Sequence, residues 1–454
     1  MLKKFSNRSL VFFFSFSFLF SVAKAQIESA VTPETALSHY LNNGDKSYHW
    51  VIKDTLTVGD VTVYGLVLTS QKWREHTWTH QLSIFVPSEI KYDGALLHVD
   101  GGSVNKQGQP NWSGKNALVE AYCNMAKLNK AVVAIIKQTP NQPLYNNLTE
   151  DALISFTLHN FKKDGDYEWP LLFPMVKSAE RAMDAVQEFT KQKLNKDIKR
   201  FVVSGASKRG WTTWLTGAND KRVVAIAPMV IDMLNMPVSM NYQIKVWNDY
   251  SIQIEDYVKL GIAQDMGSGK GADIVKMIDP YSYRKTLTMP KMIIMGTNDE
   301  YWPIDNIKNY LDSIPGQNLI HYISNVGHSM GDKMEAISSL SSFFGLTLTK
   351  SKYPVCTWKS TDTKAGVKVS IKATADKLVD VIIWTADSKD KDFRNDKWES
   401  YSLGYQNTSR VVIIKEYPKT GYRAFYVNLK YKDANDNEYT ESTRVFMTDE
   451  KQVL

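Results

Sequence analysis

Short apolar runs rich in β-branched residues alternate along the chain with longer amphipathic segments. The first two runs, His49–Ser70 and Thr77–Pro87, predict an opening antiparallel pair of strands. Six more strands are predicted at Ala95–Val99, Ala131–Lys137, Arg200–Ser204, Val223–Met229, Lys291–Met295 and Asn318–Ile323. Helical periodicity separates them at Asn116–Lys127, Leu172–Lys193 and Lys333–Phe344. This alternation predicts an α/β fold, with a mostly parallel sheet and helices on both faces.

The alternation is interrupted twice. Between residues 230 and 290 the strand pattern stops, and we expect a helical insertion that lies over the strand ends as a lid. From residue 350 to residue 454 short strands alternate with polar turns, which predicts an all-β sandwich-like domain. Its strands are expected at Val367–Ala373, Leu378–Thr385, Ser409–Lys415, Ala424–Tyr431 and Ser442–Thr448. The main domain, residues 26–349, is then the α/β unit.

Residues 1–25 have the pattern of a signal peptide, with a basic start, the apolar run Leu10–Val22 and the small-residue site Ala23-Lys24-Ala25. We expect cleavage before Gln26 and export to the periplasm or the extracellular space; a retained anchor is the alternative. No later stretch is apolar enough to predict a membrane span. Removing this segment takes away four basic residues and no acids, so the net charge falls from +7 to +3. Such a mild surplus argues against a nucleic-acid partner.

The strongest chemical signal lies around Ser207. The apolar run ending at Ser204 leads into Gly205-Ala206-Ser207 and then into a helix that begins near Lys208. A strand–turn–helix of this kind lifts a serine hydroxyl above the sheet, where it can act as a nucleophile. One departure from the common pattern is Arg209, which stands where the second glycine is usual; a helix cap is the plainer interpretation of Ser207.

A serine nucleophile needs a base, and the base needs a carboxylate to orient it. Asp299 and His328 each follow a predicted strand, and the order serine, acid, histidine is that of α/β-hydrolases. We therefore predict Ser207, Asp299 and His328 as a catalytic triad. Asp305 and Asp232 are rival acids.

Four further residues complete the predicted site. Oxyanion donors are expected at the N–H groups of Gly102, in the loop after Ala95–Val99, and of Lys208. Trp247 and Trp302 are candidates for substrate contact. The histidines have no metal-ligand spacing, so neither a metal nor a cofactor is predicted. The two cysteines, Cys123 and Cys356, fall in different predicted domains and are expected to be buried free thiols, although export would permit a disulfide.

Several segments resemble the PhoPQ-activated pathogenicity-related family, which includes the autocrine proliferation repressor-like proteins. They are Thr139–Leu144, Glu150–Ile154, Glu168–Met175, Gly205–Trp214, Asp232–Asn235 and Asp279–Tyr283. The resemblance implies an exported protein of α/β-hydrolase fold in which Lys208-Arg209 after the serine is a family feature. The turn is also similar to that of glucuronoyl esterases, which implies that the Lys208 side chain could assist the oxyanion.

Two functions follow from these observations. The first is an exported serine hydrolase that acts on a small-molecule or peptide substrate, with ester, thioester and peptide bonds left open. The second is a non-catalytic secreted signalling or binding protein on a hydrolase scaffold. The C-terminal domain could contact carbohydrate or protein, for example through Trp358, Trp384 and Trp398, although a place in the core is the more common one for such residues.

Overall fold

The computed structural model describes residue 1 and residues 30–404 and 408–454. Apart from Met1, the predicted signal peptide lies outside the described residues. The strands of the main sheet are β1 (His49–Val58), β2 (Val61–Trp73), β3 (His76–Pro87), β4 (Gly94–Val99), β5 (Val132–Ile136), β6 (Arg200–Ala206), β7 (Val223–Met229), β8 (Lys291–Gly296) and β9 (Asn318–Ile323). The helices are α1 (Ala36–Leu41), α2 (Ala117–Asn129), α3 (Glu150–Asp164), α4 (Leu172–Leu194), α5 (Lys208–Asn219), α6 (Met236–Trp247), α7 (Glu255–Lys259), α8 (Gly269–Ile278) and α9 (Met334–Thr349).

The strands form one sheet in the order β1-β2-β3-β5-β4-β6-β7-β8-β9. The first three are antiparallel, β3 pairs with β5 in the same way, and every pair from β5 to β9 is parallel. The predicted α/β fold class is confirmed. The carboxyl ends of β6, β8 and β9 therefore meet at one edge, where Ser207, Asp299 and His328 follow them.

The first predicted strand, His49–Ser70, is wrong in one respect, because it contains two strands. β1 ends at Val58, and β2 begins at Val61 directly opposite it in a two-residue hairpin. Gly59 takes φ +61 in the turn, which a glycine adopts without strain. The β-branched residues on both sides of this turn form one apolar run in the sequence, and that run concealed the turn.

Both faces of the sheet are covered by helices. Adjacent residues of a strand point to opposite faces, and Leu96 and Leu97 accordingly belong to two different apolar clusters, as do Val202 and Val203. Helices α4 and α5 pack on the face of Leu97 and Val203, whereas α2 and α9 pack on the other face. Burial on both faces explains why these strands form continuous apolar runs in the sequence.

The C-terminal residues form antiparallel sheets, as predicted. Their strands are β10 (Cys356–Thr363), β11 (Gly366–Ala373), β12 (Leu378–Ser388), β13 (Glu399–Ser402), β14 (Arg410–Lys415), β15 (Tyr422–Lys432), β16 (Glu438–Ser442) and β17 (Phe446–Thr448). One sheet has the order β10-β11-β14; the other has the order β13-β12-β15-β16, with β17 also on β15. The predicted strand Ser442–Thr448 is therefore split, with β16 ending where it was expected to begin. The domain boundaries themselves stay predictions.

Strand β15 shows how these sheets join the rest of the molecule. Phe425, Val427 and Leu429 pack toward β11 and β14, as in a sandwich. Ala424 and Tyr426 point the other way and join the apolar cluster of the main sheet, together with Trp398. At 1% exposure Trp398 is a core residue, so it is not available as a surface sugar platform.

The segment between β7 and β8 is helical, as predicted, and contains α6, α7 and α8. Within the described ranges, no helix has the length and apolar character needed to cross a membrane. Cys123 and Cys356 are free and buried. Among those same residues, no cluster of histidine, cysteine, aspartate and glutamate side chains is arranged to hold a metal ion.

Candidate active site

Ser207 occupies a sharp turn between β6 and α5. Its backbone has φ 57° and ψ −126°, a combination that costs a non-glycine residue conformational energy and that clusters at functional sites. The Ser207 N–H donates to the Met229 carbonyl at the end of β7 (2.9 Å), which fixes the turn to the neighbouring strand. The hydroxyl is thereby held at the start of a helix, above the carboxyl edge of the sheet.

Two glycines make this turn feasible. A Cβ at Gly205 would lie 2.6 Å from the Arg209 carbonyl oxygen, and one at Gly210 would lie 2.8 Å from the Met229 oxygen. Both distances are shorter than real Cβ contacts. The close approach to β7 thus uses Gly210, one residue later than in the common pattern, and this leaves position 209 free to carry a long side chain.

His328 connects the other two members of the predicted triad. Its Nε2 lies 2.8 Å from Ser207 Oγ, and its Nδ1 lies 3.0 and 2.9 Å from the two carboxylate oxygens of Asp299. These contacts fit the tautomer in which Nδ1–H donates to Asp299 and Nε2 accepts from the serine hydroxyl. Asp299 is 7% exposed; burial raises its pKa above the ordinary value, against the lowering effect of the His328 hydrogen bond.

The loop after β8 also holds the imidazole ring in place. Tyr301 stacks on the His328 ring with 4.0 Å between centroids and 30° between planes. The Tyr301 N–H donates to Asp299 Oδ1 at 2.9 Å. Glu300 accepts the His328 backbone N–H at 2.8 Å. Three consecutive residues, 299–301, therefore constrain the histidine from the carboxylate side, from the ring face and from the backbone.

The rival acids lie elsewhere. Asp305 accepts hydrogen bonds from Tyr242 (2.9 Å) and pairs with Lys308 (2.7 Å). Asp232 is 3% exposed, and burial raises its pKa to about 7. The His328 ring forms its hydrogen bonds with Asp299 and Ser207.

The two basic residues after Ser207 pair with acids at the start of α3. Lys208 Nζ lies 2.6 Å from Asp151 Oδ2. Arg209 donates to both oxygens of Glu150 at 2.7 Å and to the Thr139 carbonyl. These pairs tie α5 to α3, and the Lys208 ammonium forms an ion pair with a carboxylate.

The predicted oxyanion loop lies beside the same helix. A Cβ at Gly101 would lie 2.6 Å from the Arg209 guanidinium, and Gly102 has φ +133°, which favours glycine. The loop is thus held next to α5. The roles of the Gly102 and Lys208 N–H groups as oxyanion donors stay predictions.

A cavity adjoins Ser207 beneath the helical insertion. Its wall includes Ser207, Trp302 and Tyr301, and the rest of the lining is largely apolar: Trp211, Ile231, Met233, Met236, Met240, Ile254, Tyr257, Ala263 and Met266. Asp151 and Lys208 supply the charged part of the wall. Trp302 therefore lines the cavity beside Ser207, and its contact with substrate stays a prediction. Trp247 is not among the lining residues, and its ring packs instead against the Arg394 guanidinium at 4.1 Å.

Some residues around the triad escaped sequence reasoning. Glu150 and Asp151 could have been suspected, because they begin a segment that resembles the family. Helix α3, which starts with these two acids, is not among the predicted helices. Tyr301 follows the acid by two residues and could have been suspected from that spacing. Asn298 and Asn325 hydrogen bond to residues of the C-terminal part, and no local pattern indicates such partners.

Known proteins resemble the chain in sequence and in fold. The sequence matches the family described as PhoPQ-activated pathogenicity-related protein over residues 37–394. It is 31% identical over 443 residues to autocrine proliferation repressor protein A of Dictyostelium discoideum. The match covers 89% of this chain and 88% of that protein.

Two solved structures give the fold-level comparison. Acetyl xylan esterase 1 from Thermoanaerobacterium sp. has a TM-score of 0.50 at 15% identity, covering 70% of this chain and 93% of that one. S-formylglutathione hydrolase from Agrobacterium tumefaciens has a TM-score of 0.45 at 12% identity, with coverage of 65% and 99%. At 15% identity the first likeness shows the fold alone, which is that of the α/β-hydrolases.

Proposed function

This chain belongs to the PhoPQ-activated pathogenicity-related protein family, and we propose that it is a serine hydrolase that transfers an acyl group from an ester or amide to water. One observation carries the proposal. Ser207 Oγ, the His328 ring and the Asp299 carboxylate form a continuous hydrogen-bonded chain with contacts of 2.8 to 3.0 Å. A nucleophile, a base and an orienting acid in this relation are what acyl transfer requires.

In the proposed reaction, Ser207 Oγ attacks the carbonyl carbon while His328 Nε2 takes the hydroxyl proton. Asp299 holds the ring and stabilises its positive charge during this step. Collapse of the tetrahedral intermediate breaks the bond to the leaving alcohol or amine, which receives the proton from His328. Water then attacks the acyl-serine, with His328 again as the base, and the acid product leaves.

The oxyanion would be stabilised by backbone donors. We propose the N–H groups of Lys208, in the first turn of α5, and of Gly102, in the loop held against Arg209. In comparable sites one such donor contributes about 3 kcal/mol to the transition state. The Lys208 side chain would influence the site as half of an ion pair with Asp151 rather than as a free cation.

The cavity supports a substrate class. Because Met236, Met240 and Trp302 are typical of its wall, and because Lys208 and Asp151 neutralise each other, we propose that it accepts an uncharged apolar group. Methionine side chains adapt to differently shaped ligands, so a series of aliphatic acyl groups is the appropriate screen.

The decisive experiment is labelling with a fluorophosphonate probe. We expect the wild-type protein and a Ser360→Ala control, in an exposed position of β10, to be labelled equally, and Ser207→Ala to be unlabelled. Hydrolysis of activated esters should show the same order. Absence of both labelling and hydrolysis in folded wild-type protein would overturn the proposal and favour the non-catalytic signalling protein.

Export is part of the proposal. It rests on the predicted signal peptide, residues 1–25, and on cleavage before Gln26. N-terminal sequencing of protein recovered outside the cytoplasm should begin at Gln26; an intact N-terminus in the membrane fraction would indicate a retained anchor. The relative from Dictyostelium discoideum is named as a repressor of proliferation, and signalling with or without catalysis would be separated by testing Ser207→Ala in a proliferation assay.

A further inference from the structure

The segment between β12 and β13 reaches from the C-terminal sheets to the loops that carry Asp299 and His328. Residues 393–398 of this segment contact Asn298, which directly precedes the acid, and Asn325, which lies three residues before the histidine. Both loops of the acid–base pair are therefore tied to one distant stretch of chain.

Asn298 is bound mainly through its side-chain amide. Its Nδ2 lies 3.3 Å from the Phe393 carbonyl oxygen, 3.1 Å from that of Arg394 and 2.8 Å from that of Asp396. The amide carries two hydrogens, so these three acceptors share them. Its oxygen accepts the Thr297 hydroxyl at 2.7 Å. Both ends of the side chain are thus fixed immediately beside Asp299.

Asn325 makes a paired contact with Trp398. Its Nδ2 donates to the Trp398 carbonyl at 3.0 Å, and its Oδ1 accepts the Trp398 N–H at 2.8 Å. Its own backbone N–H donates to the Thr297 hydroxyl at 2.8 Å. Thr297 therefore links the two loops, so a displacement of either asparagine would shift both loops.

The segment is itself firmly held. Phe393 and Trp398 are 2% and 1% exposed and belong to the apolar cluster of the main sheet. Between them, Arg394 pairs with Asp392 at 2.6 Å and packs on Trp247 of the helical insertion. A stretch anchored in the core at both ends can fix the position of groups bound to it.

We infer that residues 393–398 hold Asp299 and His328 at hydrogen-bonding distance from each other and from Ser207, and that Asn298 and Asn325 are positioning residues. The inference rests on the proposed function, since it concerns the efficiency of the same triad. Neither asparagine is among the residues lining the cavity, so each acts through its neighbour in the sequence. The C-terminal part then contributes to the geometry of the active site.

The test uses two single variants of the full chain, Asn298→Ala and Asn325→Gly. Glycine suits position 325 because Asn325 has φ 58°. The control is Gln317→Ala, whose side chain also donates to a backbone carbonyl of the following segment (Pro354, 2.8 Å) but lies before β9, at the opposite end of that strand from His328. Activity is expressed per active site titrated with the fluorophosphonate, so that a misfolded fraction does not contribute.

We expect kcat per titrated site to fall by about 10- to 100-fold in both asparagine variants, because a misplacement of about 1 Å costs roughly that much. KM should be unchanged, and Gln317→Ala should match the wild type. In proton NMR, the downfield signal of the His328–Asp299 hydrogen bond should broaden or vanish in the asparagine variants alone.

The inference is overturned if both variants keep the wild-type kcat and an unaltered downfield signal. It is also overturned if Gln317→Ala loses activity to the same extent, because the effect would then be general. The NMR signal needs no turnover. If the wild type neither reacts nor is labelled, the proposed function fails, while loss of the signal in the two variants would still support the positioning role.

Discussion

The proposed nucleophile, Ser207, and the proposed acid–base pair, Asp299 and His328, are held in the same site by different means. The Ser207 turn is specified largely by its neighbours in sequence, which are a buried strand, Gly205, Gly210 and a helix that starts at Lys208. One further hydrogen bond ties the turn to Met229 of the neighbouring strand β7. Asp299 and His328 also follow strands, yet their loops hydrogen bond to residues that lie 73 to 98 positions away. The serine is positioned locally, whereas its partners depend on tertiary contacts.

This difference has a consequence for evolution and engineering. The geometry of such a turn depends mainly on its own strand and helix. A pair of side chains held from a distant segment depends on how two parts of the chain pack. Under the proposed function, variation in the C-terminal part would therefore alter activity without changing a residue of the predicted triad. Substitutions in the Ser207 turn and substitutions in the loops of Asp299 and His328 should accordingly affect activity independently of one another.

The first prediction compares Asp299 with Asp232, the rival acid that follows the neighbouring strand β7. Asp299→Asn should lower kcat by about 10⁴-fold, because the amide favours the wrong tautomer of the histidine. Asp232→Asn should change kcat less than about threefold, since the His328 ring bonds to Asp299. Steady-state kinetics with one activated ester measures both. Equal losses in the two variants would contradict the assignment of the acid.

The second prediction concerns pH and the buried Asp232. Its pKa is raised to about 7 in the folded protein, against an ordinary value near 3.9. Between these values the folded state binds the proton and the unfolded state does not, so this group makes stability fall as pH rises. Asp232→Asn should match the wild type near pH 4 and exceed its free energy of unfolding by on the order of 4 kcal/mol above pH 7.

Urea denaturation of both proteins from pH 4 to pH 8 checks this prediction. A constant difference across the range would mean that Asp232 titrates normally in the folded state.

The third prediction disrupts the local half of the site. In Gly205→Ala the new Cβ would lie 2.6 and 2.8 Å from the Arg209 carbonyl oxygen and carbon. We expect a loss of about 1–3 kcal/mol of stability together with slower fluorophosphonate labelling. Gly114→Ala is the control, because nothing lies within 4 Å of the position its methyl group would take and its φ is not positive. Equal stability of the two variants would show that the turn is looser than its geometry indicates.

Features that depend on neighbouring residues were predictable from the sequence, whereas features that depend on tertiary contacts were not. The bounds predicted for Val223–Met229 and Asn318–Ile323 match those of β7 and β9, because these largely buried strands form short apolar runs. His328 lies within hydrogen-bond distance of both Ser207 and Asp299, and all three were placed correctly because a position just after a strand is a local feature of the sequence. Their catalytic roles stay predictions.

What could not be predicted depends on packing. Helix α3 contacts α7 and α8 of the insertion as well as the core. Its apolar residues therefore do not form the single face that indicates a helix in the sequence. Trp247 was expected near the substrate because it lies in the insertion. Its ring instead faces Arg394, a residue of the C-terminal part, and nothing near position 247 in the sequence indicates that partner.

The last prediction concerns the cavity wall, to which residues near Ser207 and near Asp299 both contribute. Lys208, which follows Ser207, and Tyr301, two residues after Asp299, both line the cavity. Asp151 neutralises the lysine at 2.6 Å. Lys208 and Asp151 are only 11% and 14% exposed. In Asp151→Asn the ammonium would lose this partner, and the remaining carboxylate nearby, Glu150 at 3.8 Å, is shared with Arg209.

We therefore expect Asp151→Asn to raise kcat/KM for an ester with a carboxylate at the end of its acyl chain, relative to the uncharged analogue, by about tenfold, since a charge-assisted hydrogen bond contributes roughly 1.5 kcal/mol. The control is Glu255→Gln, which removes the exposed pair with Lys259 on α7 and should leave the ratio unchanged. If the ratio stays constant in Asp151→Asn as well, the acyl group does not enter this cavity, and the apolar wall beneath the insertion would have to serve the leaving group instead.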